Sequence, residues 1–222
     1  GGGGGGASAT TTGSGSGSGS GIRIGDCTGF SEISDNSLDI VETVSGAGIS
    51  YGGKNSKIYR NTITGSKSTM PYYTTGIDAS ATNVAFCCNT ITESNYGTRF
   101  NSSNTDIKFY TTTYGIHDTA LYFPPAATIN PQFNTGNTWV GASDLLDAYY
   151  DGTLPQAQSN APFRTDPANI NSSKIIPNGW FTLTGTDPSC TQAGFTCSDI
   201  TISGGFTELT DADLAALSPV GA

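Results

Sequence analysis

The chain has 222 residues, of which only 12% are charged, with a formal net charge of −9, one histidine and 30 glycines. Such a low-charge mixture, rich in Gly, Ser, Thr and Asn, is that of an extracellular β-rich structure and not of a helical cytosolic enzyme. It offers no Lys/Arg patch for nucleic acid or an anionic membrane, and no apolar run near the roughly 18 residues that a membrane span requires.

Residues 1–21 contain only Gly, Ala, Ser and Thr, ending in a Gly/Ser alternation from Gly13 to Gly21. They read either as a flexible linker or as stand-ins for one more coil of the fold argued below. With no initiator Met and no signal peptide in view, the chain is expected to be a piece of a longer polypeptide.

From Ile22 onward a phrase recurs with one internal spacing: a glycine or near-turn position, an asparagine seven residues on, and a second polar position six further. Gly48, Asn55 and Asn61 make one copy, Gly76, Asn83 and Asn89 a second, and Gly97, Asn104 and Tyr110 a degraded third. An apolar residue follows the first marked polar position by three places, namely Ile58, Phe86 and Ile107, and Ile63, Ile91 and Thr112 follow the second by two. Fixed spacing inside the phrase with variable spacing between phrases predicts stacked coils joined by loops that bulge outward. The runs KIYR, NTIT, VAFCC and DIKFYTTT alternate apolar and polar residues and are broken by Gly, Asn and Ser, so they are strands.

The expected fold class is all-β, a right-handed parallel β-helix of roughly five coils over residues 22–141, with equivalent residues about 4.8 Å apart in successive coils. Stacked Ile58, Phe86 and Ile107, with Ile63 and Ile91, are expected to fill the interior. Asn55, Asn83, Asn61 and Asn89 are placed at the corners, where asparagine tolerates left-handed dihedrals and can bond its equivalent one coil away. An antiparallel sandwich with Asn-rich turns is the competing architecture.

Upstream, Phe30, Ile33, Asn36 and Leu38 copy the second half of the phrase. Downstream, Leu121 to Phe123 and Asn137 to Trp139 supply a further coil with Pro124 and Pro125 in its loop. Of the five cysteines, Cys87 and Cys88 are adjacent on a strand, with one expected to point inward as a small hydrophobe and Cys27 within reach only if its coil lies alongside. Cys190 and Cys197 bracket a short loop that could close as a disulfide. Reduced metal ligands are the other reading, for which no second Cys or His pair lies nearby.

Beyond the repeats, residues 142–222 hold two basic against nine acidic residues, whereas 22–141 hold seven against nine. Ser143 to Tyr150 is expected to form a short helical cap over the open coil stack, with Leu145, Leu146 and Tyr149 at helical spacing. Asp144, Asp147 and Asp151 share one face of that helix, as a calcium site or, more simply, a solvated acidic face. Residues 153–209 are expected to wander as an extended arm, with Trp180 and Phe181 as packing anchors. A following helix begins at Thr210.

The NTIT corners, the CCNTI element and the trailing NTWVG, PNGWF and cysteine pair resemble the right-handed β-helix repeat region of very large secreted surface proteins from gliding, type IX secreting bacteria, over about residues 22–200. The resemblance implies a spacer or adhesive module within a long surface polypeptide, in some cases part of an appendage. No terminal sorting domain is present in this sequence, so secretion by that route rests on the resemblance alone.

Parallel β-helices also carry polysaccharide-cleaving enzymes, which set carboxylates and Arg or Lys on one exposed strand face. Here the repeats offer Asp78, Arg99, Asp106, His117 and Asp118. Asp78 and Arg99 follow Gly76 and Gly97 by two places and should stack as an exposed cross-strand pair, either a weak ion pair or a sugar-binding pair. No coil position carries acids in adjacent repeats as two-carboxylate hydrolysis requires, and His117, in the turn YGIHD, reads as a structural or solvated residue.

The expectation is therefore a non-enzymatic structural module of an extracellular cell-surface appendage, filament or adhesin, without catalytic residues, cofactor or metal. It should assemble with copies of itself through the Thr153 to Ile176 arm, and should neither bind nucleic acid nor insert in a membrane. The alternative is a carbohydrate-binding adhesin, or a lyase- or hydrolase-like β-helix, that meets surface glycans through Asp78 and Arg99.

Overall fold

The computed structural model describes residues 19–25, 31–40, 45–67, 73–139 and 145–186. Each turn of the chain supplies three short strands. The first turn holds β1 (Gly19–Gly25), β2 (Ser31–Ser34) and β3 (Ser37–Asp39); the second holds β4 (Gly46–Gly52), β5 (Lys54–Tyr59) and β6 (Thr62–Thr64). The third holds β7 (Thr74–Ala79), β8 (Thr82–Cys87) and β9 (Thr90–Thr92), and the fourth β10 (Ser94–Phe100), β11 (Lys108–Tyr110) and β12 (Thr113–Tyr114). The fifth holds β13 (His117–Phe123), β14 (Gln132–Phe133) and β15 (Thr138–Trp139). Strands pair in parallel with their equivalents one turn away, in the orders β1-β4-β7-β10-β13, β2-β5-β8-β11 and β3-β6-β9-β12-β15. The described residues form a parallel β-helix of about five turns.

In-register pairing stacks like on like inside the coil. Ile33, Ile58, Phe86 and Phe109 form one inward column, and Leu38, Ile63, Ile91, Tyr114 and Trp139 form another. All of these side chains are buried.

Two columns depart from the sequence reading by the same amount. Phe109 continues the Phe86 column in place of Ile107, and Tyr114 continues the Ile91 column in place of Thr112. The corner around Ser102 and Ser103 is two residues longer in the fourth turn. Ile107 is still fully inside the core, because a slip of two keeps the inward parity that a slip of one would reverse.

The glycines of the phrase lie within strands, not at turns. A Cβ on Gly21 or Gly48 would come within 2.9 Å of the carbonyl oxygen of Gly48 or Gly76 respectively, and one on Gly76 within 2.6 Å of that of Gly97. Gly97 stands as close to the Ala120 carbonyl oxygen. Close backbone approach between turns therefore favours glycine at these four positions, and the column continues with Ala120 in the next turn.

The corners carry the left-handed residues. Asn55 and Asn83 both have φ 53°, and Asn83 Nδ2 donates to Asn55 Oδ1 at 2.7 Å. In the fourth turn Asp106, at φ 55°, takes this place. Asn104 is instead buried, its Oδ1 accepting from the Ala81 N–H at 2.8 Å. At the next corner the left-handed residues are Asp35, Arg60, Cys88, Thr111 and Asn134. Immediately after them runs a buried ladder: Asn36 N and Nδ2 donate to Asn61 Oδ1 at 3.2 and 2.9 Å, and Asn61 N and Nδ2 donate to Asn89 Oδ1 at 3.1 and 3.0 Å.

Cys87 points out of the coil, opposite to Phe86, and is buried in a small outer cluster with Tyr59, Tyr110 and Cys88. The inward-pointing cysteine expected from the sequence is therefore absent, because Phe86 holds that phase of the strand. Cys27, Cys190 and Cys197, and the expected helix from Thr210, lie outside the described residues, as do residues 1–18. Gly19 to Gly21, assigned above to the low-complexity segment, already belong to β1.

The segment expected to be a helical cap is a strand. β16 (Leu146–Tyr150) pairs with β13, with Ala148 and Tyr150 facing the core. The open edge of β13 supplies the hydrogen bonds, and the alternation in LDAYY matches the pleat, so tertiary pairing overrides a weak helical spacing. The one α-helix among the described residues, α1 (Leu154–Asn160), follows it, with the Thr153 N–H donating to Gln156 Oε1 at 2.9 Å.

Residues 153–186 do not form a free arm. β17 (Phe163–Thr165) pairs with β14 and with β19 (Phe181–Leu183), and β18 (Ile175–Ile176) pairs with β16. Phe163, Trp180 and Phe181 close the end of the core against Phe123 and Tyr150, with Phe163 and Phe181 stacked at 4.7 Å and Trp180 Nε1 donating to the Ala161 carbonyl at 2.6 Å. Burying three large aromatic side chains outweighs the entropy that an extended arm would keep.

Candidate functional site

The seven-stranded sheet β1-β4-β7-β10-β13-β16-β18 is the broadest surface of the solenoid. Its register sets the outward residues Ser50, Asp78, Arg99, Tyr122, Tyr149 and Ile176 in one column along the coil axis.

Asp78 and Arg99, singled out by the sequence, meet in this column. Arg99 Nε and Nη2 donate to the two carboxylate oxygens at 3.2 and 2.6 Å, and Asn101 Nδ2 donates to Asp78 as well. This hydrogen-bonded fork is the first cause that raises the pKa of Arg99, and it gives the pair more geometric definition than an ordinary surface salt bridge.

Beside the pair runs a strip of tyrosines that the sequence reading missed. Ring centroids are 6.0 Å apart for Tyr73 and Tyr96, 5.0 Å for Tyr96 and Tyr122, and 5.7 Å for Tyr122 and Tyr149. Four successive turns thus each contribute one ring. Tyr73 is 42% exposed and the others are half-buried. Desolvation raises the pKa of the Tyr96, Tyr122 and Tyr149 hydroxyls, so they stay protonated donors at neutral pH. The sequence signal was present as tyrosine recurring one turn apart at outward positions, but it is readable only after the turns have been assigned.

Polar groups flank the strip. Asp118 accepts from Asn95 Nδ2 at 2.6 Å and lies 3.7 Å from Lys67 Nζ. Asp151 accepts from the Tyr149 hydroxyl at 3.3 Å.

The other residues considered from sequence stand elsewhere. Asp106 is exposed at its left-handed corner. His117 is fully buried, with Nε2 2.9 Å from the Ile91 carbonyl oxygen and Nδ1 3.0 Å from Ser94 Oγ. Burial lowers its pKa and holds it neutral. Of the acidic trio, Asp144 lies outside the described residues, and Asp147 is buried and accepts from the Asn171 N–H at 2.8 Å. Because β16 is a strand, the shared helical face that would have grouped the three does not exist.

Among the described residues no group of three or more His, Cys, Asp or Glu side chains is placed to hold a metal ion, and no helix is long and apolar enough to cross a membrane. The geometry supplies a flat face with aromatic edges, hydroxyl donors and paired charges, suited to contact with an extended partner. No family model, curated protein or solved structure matches the chain.

Proposed function

We propose that the chain is a non-enzymatic structural module of an extracellular surface polypeptide, an appendage or adhesin segment that works by rigid display. The observation that carries this reading is the outward column along the seven-stranded sheet, where each turn adds one more rung to a continuous contact face. In a solenoid each turn touches only its neighbours, so length and surface grow together while the core stays the same.

The ionisable groups on the face support contact over catalysis. Asp78 is held by Arg99 and Asn101, and Asp118 by Asn95. Both carboxylates have their oxygens engaged by neighbouring side chains of the same face, an arrangement that suits fixed contact. Assembly with copies of the chain, assigned above to an arm, loses that device because residues 153–176 pack on their own core.

The test is surface proteolysis and immunogold imaging of intact cells that make the full polypeptide, together with reducing-end assays on polysaccharides. Surface label on extended particles, without release of reducing ends, is the expected result. Release of reducing ends that is lost in Asp78→Asn would overturn the reading.

A further inference from the structure

We infer that the tyrosine strip is a track for one neutral polysaccharide chain lying along the solenoid axis. The inference rests on the reading of this sheet as a contact face and names its occupant.

Geometry comes first. Tyr73, Tyr96, Tyr122 and Tyr149 belong to four consecutive turns, with ring centroids 6.0, 5.0 and 5.7 Å apart. That repeat is close to the length of one pyranose unit, so a linear glycan can keep in step with the turns. Tyr96 and Tyr122 are stacked with 29° between their planes, and the flanking pairs are tilted by 38° and 42°, so the rings form one ladder across the turns. The electron-rich face of a phenol ring attracts the polarised C–H groups on the flat side of a sugar.

Hydrogen bonding comes second. Sugar hydroxyls are donors and acceptors together, and the strip is flanked by both kinds of group. Asp78, Asp118 and Asp151 accept, while Asn95, Asn101 and Arg99 donate. Those pairs hold one another in place, which lowers the ordering cost on binding.

Charge then selects the class of glycan. Three carboxylates, Asp78, Asp118 and Asp151, stand with three cations, Arg23, Lys67 and Arg99, on a chain of net charge −9. A balanced face gives polyuronates and sulfated chains no attraction to offset their repulsion by the acidic chain as a whole. A neutral chain meets no such penalty.

The experiment is calorimetric titration and affinity electrophoresis of the full chain with cellohexaose, laminarihexaose and a panel of neutral polysaccharides, with hexagalacturonate as the acidic counterpart. Binding of a neutral probe, weakened about 3- to 10-fold by Tyr96→Ala or Tyr122→Ala, is expected from the size of single aromatic contacts. Phe133→Ala, which removes an exposed ring from a different sheet, should leave binding unchanged. Circular dichroism checks the fold of each variant; should Tyr122→Ala unfold, Tyr73→Ala at the exposed end of the strip replaces it.

Failure of every neutral probe, tighter binding of hexagalacturonate, or tyrosine variants that bind as the parent does would each overturn the track. Self-association abolished by the tyrosine variants without glycan binding would also overturn it, while leaving the structural reading standing. Cleavage of the bound neutral glycan would do the reverse, upholding the track and sinking the non-enzymatic reading.

Discussion

Replacing Asn89 by alanine tests whether the asparagine ladder holds the turns together. Asn89 is fully buried and makes three hydrogen bonds: its Oδ1 accepts from Asn61 N at 3.1 Å and Asn61 Nδ2 at 3.0 Å, and its Nδ2 donates to the Ile58 carbonyl at 2.9 Å. Asn61 Nδ2 keeps partners in the Ile33 and Tyr59 carbonyls, so the backbone N–H of Asn61, at 1% exposure, is the group left stranded. An orphaned buried donor costs about 1–3 kcal/mol and each other lost bond about 1 kcal/mol, which together predict a loss of about 3–5 kcal/mol. Asn83→Ala at the half-buried corner removes the bond to Asn55 and puts alanine at φ 53°, for a loss of about 2–3 kcal/mol. Urea unfolding followed by far-ultraviolet dichroism and by the emission of the buried Trp139 and Trp180 measures both variants and shows whether the turns melt together. An Asn89→Ala loss below about 1 kcal/mol, or no larger than that of Asn83→Ala, would refute the argument that buried ladder bonds outrank corner bonds.

Three further perturbations follow from the same geometry. Thr112 stands in register between Asn89 and Asn137 with its Oγ1 buried and unpartnered among the described residues; Thr112→Asn should complete the ladder and raise the urea midpoint, with a gain of about 1 kcal/mol, and a lower midpoint would count against it. Because burial lowers the pKa of His117 beneath its ordinary 6.5, the unfolded chain binds more protons there, so stability is complete above about pH 6.5 and falls as the pH drops towards the folded-state pKa. His117→Gln should flatten that acid-side slope, and an unchanged slope would assign it to other groups. Gly97→Ala forces a Cβ against the backbone carbonyl of Ala120, so it should abolish folding or cost several kcal/mol by the measure of strained core substitutions, whereas soluble protein of parental midpoint would show that adjacent turns can spread.

The fold was legible because a solenoid writes its core into the sequence at fixed offsets. Ile58, Phe86, Ile63 and Ile91 recur with Asn61 and Asn89 behind them, and in-register stacking follows from that recurrence alone. Legibility broke where the turn length changed. Two extra residues at the corner around Ser102 moved Phe109 and Tyr114 into positions that the spacing gave to Ile107 and Thr112. It broke again after Trp139, where LDAYY suits a helix locally and a strand only once the edge of β13 is there to pair with. The segment 153–186 reads as loop because β17 and β19 carry one buried aromatic each and β18 only Ile175, and their burial depends on the end of a core that the local sequence does not contain.

The candidate site was half legible, for a different reason. Asp78 and Arg99 could be paired because both sit at one offset from a repeat glycine, in turns where the count still held. Tyr96, Tyr122 and Tyr149 could not, since outward positions are free of packing constraints and their recurrence is hidden by loops of unequal length. That freedom gives the strip its weight. Core columns must repeat apolar residues in any β-helix, so their composition says nothing about use. An outward column has no such requirement, and polar residues would satisfy the sheet at lower desolvation cost. This one passes from Ser50 and Asp78 to Tyr122 and Tyr149, with Tyr96 and Tyr73 bridging alongside. Rings repeated on a face where the fold does not need them are the reason the proposed glycan contact is placed on this strip and not on the core columns.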